Sequence, residues 1–370
     1  MKKDTTHMIR RAEHFKTILT GEGFLVGLIA GMVVLLYRVL LEYAGRAMNV
    51  ILGYARGNPA AAGGWFVLLV LMACIVGKLV KWEPMISGSG IPQVEGEMTG
   101  KLEQAWWRVL PAKFLGGFLS LLAGLSLGRE GPSIQIGAMT GKAVSKILDR
   151  GKTEEKYLLT CGASAGLAAA FHAPLAGVMF SLEEIHKNFS VSVLVSVMTA
   201  SITADYVSSQ FLGFHSVFRF DIGMEIQPRY YWHILILGVI LGLLGAFYNK
   251  MTLWVQNLYY KAKRLNETSR LLIPFFLAGI LGLFVPQVLG SGHDLIETAA
   301  GGEMLLGTLL GLLILKFVFS LISFGSGAPG GIFFPLLVLG ALIGGSYGTF
   351  AAQYMGLDPS YISNFVLLAM

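Results

Sequence analysis

Charge is scarce in this chain. Asp, Glu, Lys and Arg together make up 14% of the 370 residues, while hydrophobic residues make up 54%. Soluble domains run near 25% charged, so the balance excludes an ordinary water-soluble domain and points to lipid as the solvent. Cysteine is scarcer still. Cys74 and Cys161 are the only two, and both lie in apolar segments, where they read as small core hydrophobes rather than a disulfide framework. Metal-ligand spacing is missing, because His172 has no second His or Cys at a useful distance along the chain. The sequence contains no H-E-x-x-H and no Walker A lysine, which leaves a membrane enzyme without metal or phosphate loop. No cofactor is expected. The net charge of +6 is not a nucleic-acid footprint, since its basic residues gather at segment ends: Lys2, Lys3, Arg10, Arg11 and Lys16, then Lys261, Lys263, Arg264 and Arg270.

Glycine, by contrast, is abundant, with 47 residues and no collagen period. In a membrane it lets helices approach closely and lets backbone bend around a cavity. A spanning helix needs about 20 apolar residues. Candidate spans are 19–42, 63–80, 105–127, 157–182, 191–213, 231–256, 271–290, 303–324 and 331–350, and several carry a central Gly, Pro or charge, as tilted and broken helices do. The first span is too long for a signal peptide and reads as a retained helix. Basic residues precede it, while only Arg56 lies in the expected loop between Gly53 and Gly64, so the N-terminus is expected in the cytoplasm. Glycine pairs at four-residue spacing, Gly27/Gly31, Gly137/Gly141, Gly238/Gly242 and Gly340/Gly344, allow close helix contacts without showing oligomerisation.

The chain repeats itself. "GSGIPQVE" (88–95) and "GSGHDLIE" (290–297) lie 202 positions apart. About 200 positions also separate "LSLGREGPSIQIGAMTG" (125–141) from "FGSGAPGGIFFPLLVLGALIG" (324–344), each a glycine-rich break entering an apolar helix. Two matches at one offset and in one order suggest two halves of similar build, which in transporters are often inverted, with the ligand where broken helices meet. Boundaries follow: a cytoplasmic N-terminal segment 1–18, a first membrane repeat 19–213 and a second 214–370. By the same offset "CGASAGLAAAFHAPLAGVMFSLEE" (161–184) should have a partner near 361–384, so the second repeat is expected to be incomplete at Met370.

Three breaks look like helix starts at membrane depth: "GSGIP" with Pro92, "GREGP" with Pro132, and "GAPGGIFFP" with Pro335. Proline suits the first turn, and glycines let amides face a small ligand. Helix N-termini expose N–H groups and carry partial positive charge, so they bind anions. One such break alone reads more readily as a packing kink. Three, two of them at matching repeat positions, favour a path for a small, weakly hydrated anion. Few charges and the single hydroxyl of Ser89 fit an ion that must also leave.

Together "GSGIP", "GREGP" and "GGIFFP" resemble, in order and spacing, the three chloride-pathway signatures of the CLC family of chloride channels and chloride/proton antiporters. "AAAFHAPLAGVMFSLEE" resembles the family stretch between them. The resemblance spans about residues 20–370. It implies an all-α polytopic membrane fold of two inverted-topology repeats, the second incomplete here, and a homodimer in the lipid bilayer with one pathway per subunit. It implies that Ser89 donates its hydroxyl to a central chloride and that the amides of Ile332 and Phe333 bind the same ion. Amides of Arg129, Glu130 and Gly131, with those near Phe333 and Phe334, would frame an outer site. The family's tyrosine ligand has no match before the chain ends. Phe334 stands where many family members carry a smaller residue, either narrowing the outer site or packing.

Glu130 is then an occupant. Ionised, it sits where chloride would sit; protonated, it admits the ion. An ionisable group at membrane depth is functional by default. By resemblance Glu130 is the gating glutamate and Glu184 the inner proton-transfer glutamate, although from the residues alone Glu183 and Glu184 read as a solvated helix end beside His186 and Lys187. The expected function is chloride/proton antiport, with a passive gated chloride channel as the alternative. The intact "GSGIP" argues for chloride-like anions over a fluoride exporter. Lys113 either faces a cavity or snorkels, Lys316 either attracts anions at a vestibule or snorkels, and His172 reads as a hydrogen-bonded break residue. The compact form suggests a bacterial inner membrane.

Overall fold

Without water, every backbone N–H and C=O in the membrane must be satisfied within the protein, which leaves helices as the solution for single apolar runs. A computed structural model describes residues 2–187, 189–214, 225–262, 265–302 and 304–370, and of residues 2–15 the backbone only. Lys263 and Arg264 of the basic linker, and the side chains of Lys2, Lys3, Arg10 and Arg11, lie outside the described residues.

The helices in chain order are α1 (Lys2–Gly57), α2 (Pro59–Trp82), α3 (Ile91–Met98), α4 (Trp106–Leu122), α5 (Glu130–Ile147), α6 (Lys152–Phe171) and α7 (Pro174–Phe180). They continue as α8 (Val191–Leu212), α9 (Tyr231–Lys261), α10 (Glu267–Phe284), α11 (His293–Ala300), α12 (Leu306–Gly325), α13 (Phe333–Tyr354) and α14 (Ile362–Ala369). Among the described residues, seven are long and apolar enough to cross a bilayer: α1 from Lys16, α2, α8, α9 with the turn before it, α10, α12 and α13. The protein is an integral, all-α membrane protein.

Several expected elements change. The loop between Gly53 and Gly64 does not exist. Helix α1 runs through Arg56 to Gly57, and Pro59 starts α2 after Asn58 alone, whose Oδ1 accepts from the Ala60 amide at 2.9 Å. Span 105–127 is the 17-residue α4. Span 157–182 breaks where His172 adopts the left-handed conformation, φ 54°, and caps α6. Helix α5 was not among the candidate spans, yet it is buried along its length except for its last two residues. Its many small and polar residues lower its hydropathy and suit contact with protein on all sides.

Contacts group the chain into two units. The first comprises Met1–Glu42, Glu83–Leu115 and Arg129–Val217. In it α5 and α6 interlock through glycine, Gly137 against Gly162 and Gly166, and Gly141 against the Leu158 carbonyl. Gly23, Gly27 and Gly31 of α1 lie against Ser196, Ala200 and Ala204 of α8. Small residues at such contacts let backbones touch, which is how helices associate where lipid removes the hydrophobic drive.

The second unit comprises Tyr43–Trp82, Gly116–Gly128 and Phe218–Met370. Here Gly77 of α2 meets Thr268, and Gly279 of α10 meets Phe66 and Leu69. Tyr248 of α9 and Ser320 of α12 share a hydrogen bond of 3.0 Å. Gly340 and Gly344 of α13 abut the carbonyls of Ala369 and Phe365 on α14. As between α5 and α6, glycines at four-residue spacing on one helix meet carbonyls of the next. Gly238 and Gly242 of α9 meet nothing within 4 Å.

The repeat is visible in the backbone. Gly88, Gly90 and Gly124 have φ of 66°, 92° and 83°, and Gly290, Gly292 and Gly327 have 60°, 86° and 82°. Each left-handed turn recurs about 200 residues on, at positions only glycine fills without strain.

Candidate functional site

The loop before α3 is built to point its amides. Gly88 and Gly90 are left-handed around Ser89, and Pro92 sits in the first turn of α3. The Ile91 amide donates to Ser89 Oγ at 3.3 Å. Lys113 of α4 holds the far side of this loop. It is fully buried, and its Nζ donates to the Ile86 carbonyl at 2.8 Å and the Gly88 carbonyl at 2.6 Å. It therefore does not snorkel, and its charge is spent on backbone oxygens rather than on an open cavity.

Lys316 repeats the arrangement in the second unit. It too is fully buried, and donates to Val288 O at 2.9 Å and Gly290 O at 2.8 Å. It does not snorkel either. Sequence reasoning found both lysines but missed their shared partners. The signal was their similar distance from the two "GSG" motifs, 25 positions from Gly88 and 26 from Gly290.

Helix α5 starts beside the Ser89 loop. Arg129 is its N-cap residue, Glu130 its first helical residue, and Pro132 falls in the first turn. The Ser133 amide and hydroxyl both donate to the Arg129 carbonyl, at 3.0 and 2.9 Å, which closes the first turn of α5. Glu130 is 2% exposed. A Cβ added to Gly131 would stand 2.7 Å from the Ser89 carbonyl oxygen and 2.9 Å from Ser89 Cβ. The structure thus brings Ser89, Glu130 and Gly131 together, with two helix starts in contact. Tyr37 of α1, fully buried, lies within electrostatic reach of Glu130 and Arg129.

Ile332, Phe333 and Phe334 belong to the second unit. Ile332 is the N-cap of α13 and Phe333 its first residue; the Leu336 amide donates to Ile332 O at 3.1 Å. Phe334 is buried, with its ring centroid 6.0 Å from that of His293. Just before each of these starts, Gly128 and Gly331 exchange backbone hydrogen bonds, 2.7 Å in both directions.

Glu183 and Glu184 lie on a π-helical turn, Ser181–His186, that ends α7, and both are exposed in the single chain. Single π-turns inside helices recur at functional positions. The next residue, Lys187, pairs with Glu95. His186 Nδ1 lies 3.1 Å from Thr160 Oγ1; burial, then the nearby Lys156, lowers its pKa below the usual imidazole value. His172 Nδ1 lies 3.2 Å from Asp205 Oδ1, as a hydrogen-bonded break residue should. Cys74 and Cys161 are both free thiols. Among the described residues no group of His, Cys, Asp and Glu could hold a metal ion.

A family model described as "Voltage gated chloride channel" matches residues 66–370. The H(+)/Cl(-) exchange transporters ClcA of Salmonella newport (strain SL254) and Salmonella agona (strain SL483) are each 39% identical over 303 residues, covering 80% of this chain and 63% of theirs. The chain therefore spans less than two thirds of these relatives. Among solved structures, a slow cyanobacterial Cl-/H+ antiporter superposes with a TM-score of 0.86 at 27% identity, over 95% of this chain and 88% of that one. A CLC-type fluoride/proton antiporter superposes with 0.76 at 21% identity, over 94% and 84%, a likeness of fold. The chain belongs to the voltage-gated chloride channel family.

Proposed function

We propose, with membership of this family as the premise, that the protein exchanges chloride for protons across a membrane. The observation that carries the reading is Glu130: a buried carboxylate at the first position of α5, against the glycine-bounded loop of Ser89. Chloride at this helix start is held by amides and the Ser89 hydroxyl, weakly enough to leave. Ionised Glu130 competes for the same amides. On protonation it becomes neutral and gives way. One carboxyl group thus makes anion entry conditional on a proton.

Support for exchange over passive conduction comes from the relatives, two of which are named H(+)/Cl(-) exchange transporters, and from Glu184 on its π-turn, which would hand protons inward. The amides of Arg129 and Gly131 are proposed as further anion donors in the first unit, and, separately, those of Ile332, Phe333 and Phe334 at the start of α13 in the second. Further parts of the proposal are a homodimer in the bilayer, a bacterial inner membrane and a cytoplasmic N-terminus, the last from the basic residues before α1.

The test is chloride-driven proton movement in liposomes. A chloride gradient should drive protons uphill. Chloride leak without proton movement would make the protein a passive channel.

A further inference from the structure

Helix α3 has a problem that its sequence does not solve by ordinary means. It is one of the two helices whose starts meet at Ser89 and Gly131, yet it has only 8 residues, of which Val94, Glu97 and Met98 are buried. Two apolar side chains bury too little surface to fix a helix against translation or tilt. What holds it is polar. At its last turn Glu97 pairs with Lys142 of α5, and Lys142 is 2% exposed. Lys142 Nζ also donates to the Gln104 carbonyl at 2.7 Å, and Gln104 Nε2 donates to Glu97 Oε2 at 3.0 Å. Gln135, one turn below Glu130 on α5, extends the network back to the loop. Its Nε2 donates to Gln104 Oε1 at 2.7 Å and to the Met85 carbonyl at 2.9 Å, and its side-chain amide fills the space where Gly90 lacks a Cβ. Gln104 and Gln135 are essentially unexposed, at 1% and 0%.

The last turn of α3 and the turn at Met85 that leads into its loop are therefore tied to α5 by one continuous buried hydrogen-bonded network, with Gln135 packed against Gly90 between them. Desolvating an ion pair costs about as much as the pairing returns, so such a pair is weak evidence for stability; its best-attested use is to specify one register among several that apolar packing would allow. A small slide of α3 along α5 would carry Ser89 away from Gly131, and the network forbids that slide.

We propose that Glu97, Lys142, Gln104 and Gln135 are positioning residues that set the register of α3 on α5 and thereby the anion affinity of the Ser89 loop. The proposal rests on the reading of Ser89 as an anion ligand. It separates two quantities that a merely structural role would move together. Apolar replacement of the pair should spare stability while loosening the site.

The test is chloride binding by titration calorimetry on the purified protein in detergent, with the thermal unfolding midpoint measured on the same samples. The double variant Glu97→Met/Lys142→Met should lose at least about tenfold in chloride affinity while its unfolding midpoint stays or rises. Gln135→Leu, which cuts the link at the loop end, should show the same loss and decides the matter if the double variant does not fold. Lys142→Arg should restore affinity toward the parent value. Parent-like chloride affinity in both Glu97→Met/Lys142→Met and Gln135→Leu would overturn the proposal, as would a loss that only tracks a falling midpoint. Ser89→Ala is the control. If it weakens binding while the network variants do not, the positioning role alone is wrong. If Ser89→Ala also binds like the parent, the anion-site reading falls and takes this proposal with it.

Discussion

Gly128 and Gly331 each donate a backbone N–H to the other's carbonyl, at 2.7 Å in both directions and with the chains antiparallel. They hold equivalent places in the two repeats, one residue before Arg129 and one before Ile332.

Lys113 and Lys316 give the first prediction. Each satisfies two carbonyls, one of them on a buried residue, Ile86 or Val288. Lys113→Met and Lys316→Met should each destabilise the protein by a few kcal/mol, on the scale of about 1–3 kcal/mol per orphaned buried acceptor. Thermal unfolding in detergent measures the effect. Equal stability of parent and variants would contradict the capping role.

Their effects on chloride should differ. The loop held by Lys113 leads into α3, whose first turn has no acid, while the loop held by Lys316 leads into α11 with Asp294 in its first turn. A carboxylate there opposes anion binding at the helix start. Lys113→Met should therefore weaken chloride binding more than Lys316→Met, as read by titration of the folded fraction. The reverse order would contradict the assignment of the first loop alone to the anion.

Gly131→Ala tests the contact of the two helix starts. The added methyl would press on Ser89 at 2.7 and 2.9 Å, where backbone has to move. Chloride affinity should fall by about tenfold, equivalent to about 1.4 kcal/mol, with the protein still folded. Unchanged affinity would mean that the distance between these two starts does not matter to the ion.

Glu184→Gln separates the two ion paths. If Glu184 supplies the proton and takes no part in binding chloride, the variant should keep chloride flux and lose proton flux. Normal proton transport would return Glu184 to a solvated helix end, which its exposure in the single chain also fits.

Much of this is legible in the sequence. The three breaks, their helix starts, the prolines in first turns and the repeat follow from glycine and proline chemistry, which acts locally. What sequence concealed depends on partners far along the chain. Lys113 and Lys316 read as candidates for snorkelling because nothing local reveals the carbonyls that receive them. The Glu97–Lys142 pair joins positions 45 apart, and Gln135 looks like one polar residue in an apolar run. Helix α5 escaped the list of spans because burial against α6 comes from its glycines, which hydropathy does not reward. The supposed loop at Arg56 is a helix end, where Asn58 caps the next helix and leaves no room for a loop.

The central claim is that Glu130 makes chloride passage conditional on a proton. The most direct measurement is simultaneous recording of chloride and proton movement in liposomes, for the parent and for Glu130→Gln, across a range of pH. The parent should move protons uphill in a chloride gradient, with chloride flux rising as pH falls and the carboxyl becomes neutral. Glu130→Gln should pass chloride at every pH and move no protons. Coupled, pH-dependent exchange surviving in Glu130→Gln would contradict the account.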